Sequence, residues 1–184
     1  MKRRWRWFVG LLLVACISEY AFARKPEATS QNWPSYFAPD DENAGFDDAE
    51  PPPDAVLDTL LTRPEVAETA DELQNKDRGS LRKLFQTVRV NLGKADEDDY
   101  VVLGTFPMSG GDCNWFWVVR TRQGKGETIL FAPGLSLLLQ KRLTNGYRDI
   151  KQSGGTAAFR SERLYRYNGI AYRLLRERTW AVKP

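Results

Sequence analysis

Two Asn-Gly pairs, Asn145-Gly146 and Asn168-Gly169, adjoin the residues of this chain best suited to hold an anion. Arg148, Asp149 and Lys151 follow the first pair, and Arg166 and Arg173 stand on either side of the second. Asn-Gly supplies the positive φ angles of a tight hairpin turn, so the spacing can bring these side chains onto neighbouring strands. Guanidinium forks and an ammonium group converging there would bind a phosphate or carboxylate. A structural reading stands beside this one, in which Asp149 accepts from the turn backbone or pairs with an arginine on the next strand.

Equipment for catalysis is sparse. The sequence contains no histidine, which removes the commonest general base and the commonest neutral metal ligand together. Its two cysteines are Cys16 and Cys113. A nucleophilic thiol needs a depressed pKa, and Asp112 beside Cys113 works against that, so a packing cysteine is the simpler reading. Paired carboxylates would have to come from Asp112, Glu127, Asp149 and Glu162, or from the run Asp96 to Asp99. No spacing among them fixes a pair, and the run reads as a solvated loop or a weak calcium site. The chain therefore leans away from an enzyme, with no cofactor and no resident metal expected.

Residues 1–23 read as a bacterial export signal. Lys2, Arg3, Arg4 and Arg6 precede an apolar run from Trp7 to Ile17, which is too short to span a bilayer. Ala21-Phe22-Ala23 fits signal-peptidase cleavage, whereas Leu13-Val14-Ala15-Cys16 resembles a lipobox that would acylate Cys16. The mature chain is expected in the periplasm or outside the cell, or alternatively lipid-anchored through Cys16. Without the leader the charge is balanced but segregated. Positions 24–99 carry 18 acidic and 9 basic residues, and positions 100–184 carry 5 acidic and 14 basic. A basic back half suits an anionic partner; nucleic acid is not expected for an exported chain.

The elements that must position these groups follow from composition and period. Residues 24–53, with Asp40-Asp41-Glu42, Asp47-Asp48, Glu50 and three prolines, read as an acidic disordered linker. Trp33, Tyr36, Phe37 and Phe46 within it admit three readings: a recognition segment, a patch docked on the protein's own domain, or a loosely held arm. Residues 54–184 read as one domain, helical over 54–76 and strand-rich over 81–175. Leu57, Leu60 and Leu61 form one helical stripe, and Pro64 suits a first helical turn. Leu81 to Leu92 changes from helical to alternating period.

Asn114 to Val119 is apolar on both faces, the mark of a strand covered on both sides. At Asn168-Gly169 a two-residue turn would pair Tyr167 with Ile170, Arg166 with Ala171, Tyr165 with Tyr172 and Leu164 with Arg173. Tyr165, Tyr167, Ile170 and Tyr172 then share one face, and Arg166 and Arg173 the other. Trp115, Trp117, Tyr147, Tyr165, Tyr167 and Tyr172 could stack on sugar rings, but core is the favoured reading. The expected fold class is α+β, with short N-terminal helices against an antiparallel sheet of six or seven short strands.

The order of Tyr100-Val-Val-Leu, a Gly-rich loop, Phe116-Trp-Val-Val, Gly146-Tyr-Arg-Asp-Ile150 and Tyr165-Arg-Tyr-Asn-Gly-Ile-Ala-Tyr172 resembles a family of small exported bacterial proteins of unassigned function. The likeness covers roughly residues 81–175 and implies no activity. The hairpin also looks a little like those of FG-GAP propeller blades, but the Asp-rich calcium loop of that group is missing here. The expected function is a non-enzymatic envelope protein that binds another protein or an anionic envelope polymer. A carboxylate-dependent periplasmic hydrolase and an inhibitor of a wall-degrading hydrolase are the alternatives.

Overall fold

The computed structural model describes residues 33–41, 45–73, 77–94, 97–110 and 113–183. The expected leader with Cys16 lies outside the described residues, as do the part of the expected linker before position 33, Asp96 and Asp112.

After a two-residue strand β1 (Tyr36–Phe37), the chain forms α1 (Asp54–Leu61), α2 (Pro64–Glu72) and the short α3 (Arg78–Arg82). Eight strands follow: β2 (Phe85–Val90), β3 (Asp98–Gly104), β4 (Asn114–Arg122), β5 (Lys125–Gly134), β6 (Ser136–Thr144), β7 (Tyr147–Gly155), β8 (Phe159–Tyr167) and β9 (Tyr172–Ala181). Strand structure thus dominates, all of it antiparallel, with a few short helices. The expected single sheet of six or seven strands is replaced by two sheets, a four-stranded one in the order β2-β3-β4-β5 and a five-stranded one in the order β1-β6-β7-β8-β9.

The division has a local cause. Between β5 and β6 the chain passes from one sheet to the other through Pro133, Gly134 and Leu135, where the Leu135 N–H bonds to the Ser153 carbonyl at 2.8 Å. A Cβ on Gly134 would lie 2.6 Å from the Ser153 backbone carbonyl oxygen, so only glycine lets the strands cross so closely.

The layers follow from alternation along β3 and β4. Val101, Leu103, Phe116 and Val118 face the core between the sheets. Val102, Trp117 and Val119 face a second core with Val56, Leu57 and Leu60 of α1, Val66 of α2, and Phe85. The doubly apolar segment around Trp117 is therefore a strand covered on both sides, as its composition implied. Asp77 caps α3 by accepting from the Ser80 N–H at 2.7 Å, and Pro64 opens α2.

The acidic segment, read as a disordered linker, is docked over its described part. Phe37 is fully buried, β1 pairs with β6, and Phe46 lies 5.4 Å from the Phe37 ring and 6.4 Å from that of Phe116. Burial of the Phe37 ring, with Phe46 packed against it, favours ordering an otherwise polar stretch.

The two-residue I′ turn occurs at Asn145-Gly146, with φ of 52° and 82°, and sets Thr144 opposite Tyr147. Asn168-Gly169 differs. Tyr167 pairs with Tyr172, Arg166 with Arg173 and Tyr165 with Leu174, two residues further along β9 than the two-residue turn would give. The Asn168 side-chain oxygen accepts from both the Ile170 and the Ala171 N–H at 3.0 Å, which stabilises a four-residue loop. The slip of two conserves side-chain faces, so the tyrosines still point inward, but Ile170 is left exposed. Replacing Asn168 with alanine is expected to cost about 1 kcal/mol in urea unfolding. A cost near zero would mean that the β8 and β9 ladder alone fixes the loop.

Candidate functional site

The outer face of the five-stranded sheet, turned away from the four-stranded one, gathers most of the residues singled out in the sequence. Register defines it. Leu139 and Ile150 face inward to the core, so their neighbours Leu138 and Lys151, which pair with each other, face outward. Lys151 pairs with Leu164, and Leu164 with Arg176. Glu162 faces Arg178, Arg160 faces Trp180, and Arg166 faces Arg173 on the same side.

Asp149, although fully buried, belongs to this face. Its carboxylate accepts from the Thr144 hydroxyl at 2.6 Å and from Arg166 Nε at 3.2 Å, with Arg142 Nε at 3.6 Å. Arg166 is thereby oriented by its own strand neighbour. Lys151 is paired with Glu162 at 2.5 Å. Within strands β6 to β9 two carboxylates, Asp149 and Glu162, thus face Arg142, Lys151, Arg160, Arg166, Arg173, Arg176 and Arg178, while Asp40 and Asp41 of the docked arm stand at the far end of the face beside Arg160. Among the described residues, Arg160, Arg173, Arg176 and Arg178 have no carboxylate within ion-pair distance.

Of the five predicted site residues, Asp149, Lys151, Arg166 and Arg173 share this face. Arg148 does not. It points to the irregular stretch of β6 between Leu139 and Leu143, where Nε donates to the Gln140 carbonyl at 2.8 Å and Nη2 to that of Leu139 at 2.7 Å. A bulge frees carbonyls from the ladder, and Arg148 satisfies them. Burial lowers its pKa from the usual arginine value. Arg160, Arg176 and Arg178, which the sequence reading does not include, stand away from the two turns. Their alternation along β8 and β9 was the available signal.

Beneath the same hairpin, between the sheets, lies a polar cluster whose centre is Arg120. Its Nη1 donates to the Tyr147 hydroxyl at 3.0 Å and the Tyr167 hydroxyl at 2.5 Å, and Nη2 donates to the Glu127 carboxylate. The guanidinium carbon stands 5.8 and 5.7 Å from the two ring centroids. Burial opposes its charge, but hydrogen bonds to Tyr147, Glu127 and Tyr167 outweigh that and hold its pKa above the usual value.

Glu97 receives the Tyr147 hydroxyl and pairs with Arg122. Those contacts overcome burial and keep its carboxyl below the usual range. Burial pushes Tyr147 up to about 12, with the Glu97 contact adding to it. Burial also drives the Asp99 carboxyl up to about 7, although it accepts the Leu92 N–H at 3.3 Å.

Compared with protein-family models, curated proteins and solved structures, the chain matches none. The site's chemistry is therefore read from its own geometry.

Cys113 is half-buried and bridges to Gly110, where a Cβ would meet its sulfur at 2.8 Å. Among the described residues no three acidic or thiol side chains converge to hold a metal ion, and Asp98 is paired with Arg89. No described helix is long and apolar enough to cross a membrane. The six aromatics weighed as sugar platforms belong to the two cores, with Trp115 and Tyr165 at their margins.

Proposed function

We propose that this protein is a non-enzymatic exported binding protein whose cationic sheet face holds an anionic envelope polymer. The observation that carries the reading is the row Arg160, Arg173, Arg176 and Arg178, exposed and without carboxylate partners among the described residues. A β-strand rises about 3.3 Å per residue, so alternate arginines along β9 recur at about 7 Å. That spacing is comparable to the charge repeat of an extended polyanion. Exposed cations on one face raise the local concentration of such a polymer and are screened by salt.

A hydrolase has less support, because both oxygens of Asp149 are engaged and Glu162 is tied to Lys151. General acid and base work needs carboxylates free to face a substrate.

The test is a titration of the purified domain with long-chain polyphosphate. Changing Arg173, Arg176 and Arg178 together to glutamine is expected to weaken binding at least tenfold. Changing Lys83, Lys94 and Lys125, three exposed lysines off that face, together to glutamine removes the same charge and is expected to alter binding less than twofold. Equal losses in both variants would reduce the interaction to net charge and remove the assigned face.

A further inference from the structure

At the end of the five-stranded sheet far from the polar cluster, a cleft of about 540 Å³ opens on the outer face. Its floor is made of small side chains, Ser136 and Ser153, which face each other across β6 and β7. One wall is the docked N-terminal arm with Tyr36, Asp40 and Asp41, and the other is the β8–β9 hairpin with Arg160, Trp180 and Glu162, the last paired with Lys151. Tyr36 is 39% and Trp180 49% exposed, so each ring presents part of its surface to the cleft and to solvent.

We propose that this cleft is a saccharide subsite, which takes one or two sugar units of an acidic polysaccharide. The inference rests on the polyanion reading above and names the polymer's class. Indole and phenol rings offer flat apolar surfaces that match the C–H face of a pyranose, while their polar edges stay wet. A sugar also needs acceptors and donors for its hydroxyls. Asp40 supplies a carboxylate acceptor, and the two serine hydroxyls both donate and accept. Arg160 adds a fork for a carboxylate or phosphate substituent.

The volume lies within the range of small-ligand pockets, and the short floor side chains leave room for a ring to lie flat. A polyanion without sugars, such as polyphosphate, would use the arginine row and leave both aromatic walls idle. The sugar chemistry therefore discriminates among anionic polymers, where charge alone does not.

The experiment compares an oligogalacturonate hexamer with polyphosphate of similar total charge by calorimetry on the protein without residues 1–23. Trp180→Ala and Tyr36→Ala are each expected to weaken hexamer binding at least fivefold and polyphosphate binding less than twofold. Trp180→Phe, which keeps a flat ring, is expected to retain most of the hexamer affinity. Circular dichroism and unfolding midpoints of the variants, matched to those of the unaltered chain, separate lost binding from lost folding. If the hexamer binds no better than polyphosphate and neither aromatic variant alters it, the saccharide subsite is overturned while the polyanion reading stands. If neither polymer binds, both fall.

Discussion

Replacing Arg120 with methionine is expected to lower the unfolding free energy by about 3–5 kcal/mol, read from the urea midpoint at constant slope. The side chain is almost fully buried and serves three acceptors, Tyr147, Tyr167 and Glu127, with the Glu97 carboxylate 3.9 Å from its Nε. Methionine fills the volume but leaves two buried hydroxyls without their shared donor and Glu97 with Arg122 as its remaining guanidinium. Removing one member of a buried charged network costs more than the network contributes, because the survivors stay desolvated. Lysine at 120 keeps the charge but cannot reach three acceptors with a planar fork, so an intermediate loss is expected. The change should also reach the cationic face, since Arg120 ties β4 to Tyr167 at the base of the hairpin that carries it. A loss below about 1 kcal/mol, the usual size of one hydrogen bond, would show that the network does not brace the sheets.

Asp99→Asn is expected to stabilise the protein at pH 8 relative to the unaltered chain, and to do so much less at pH 4. In the unfolded chain this carboxyl titrates near 4, whereas burial raises it to about 7 in the folded state. Between those values the folded state retains a proton that the unfolded state has released. Stability from this group is therefore greatest below about pH 4, declines as pH rises to 7, and is level above. A rise from near 4 to about 7 corresponds to on the order of 4 kcal/mol, largely removed by an uncharged amide that still accepts the Leu92 N–H.

The groups facing Asp99 do not reverse this. Glu97 is held low by Tyr147 and Arg122 despite its burial, so its contribution is lost only as pH falls through the acid range. Arg120 and Arg122 stay charged throughout, and Tyr172 is pushed far above its usual pKa by burial. The measurement is the difference in unfolding free energy between the two proteins from pH 4 to pH 8. A difference that does not change with pH would place the Asp99 carboxyl in an ordinary environment.

Much of the framework was legible. Pro64 and the leucine stripe located the two helices, and the doubly apolar run around Trp117 located a strand covered on both sides. The inward tyrosines and outward arginines of the last hairpin followed from alternation alone, which survives a register slip of two. The slip itself did not, because it depends on where one asparagine side chain finds its donors.

The split into two sheets turned on the close crossing at Gly134, a tertiary fact that the residue's type only permits. Docking of Phe37 and Phe46 is one of three readings that their sequence admits, and the surrounding carboxylates give no ground for choosing it. Arg120 carries no sequence signal of its role, because Tyr147 and Tyr167, which make it the centre of a buried cluster, arrive from distant strands. In the site, the residues beside the turns drew notice, and four of the five share a face. The row on β9 completes that face, while Arg148 was taken up by the bulged carbonyls of β6.

The cationic sheet face is tested most directly by co-sedimentation of the protein without residues 1–23 with isolated, protein-stripped bacterial envelopes, at low salt and again at about 0.5 M salt, where the screening length falls to a few ångströms. The unaltered protein is expected to pellet at low salt and to be released at high salt. The variant with glutamine at 173, 176 and 178 is expected to stay in the supernatant under both conditions. Pelleting of that variant equal to the unaltered protein, or no pelleting of either, would contradict an envelope polymer held on this face.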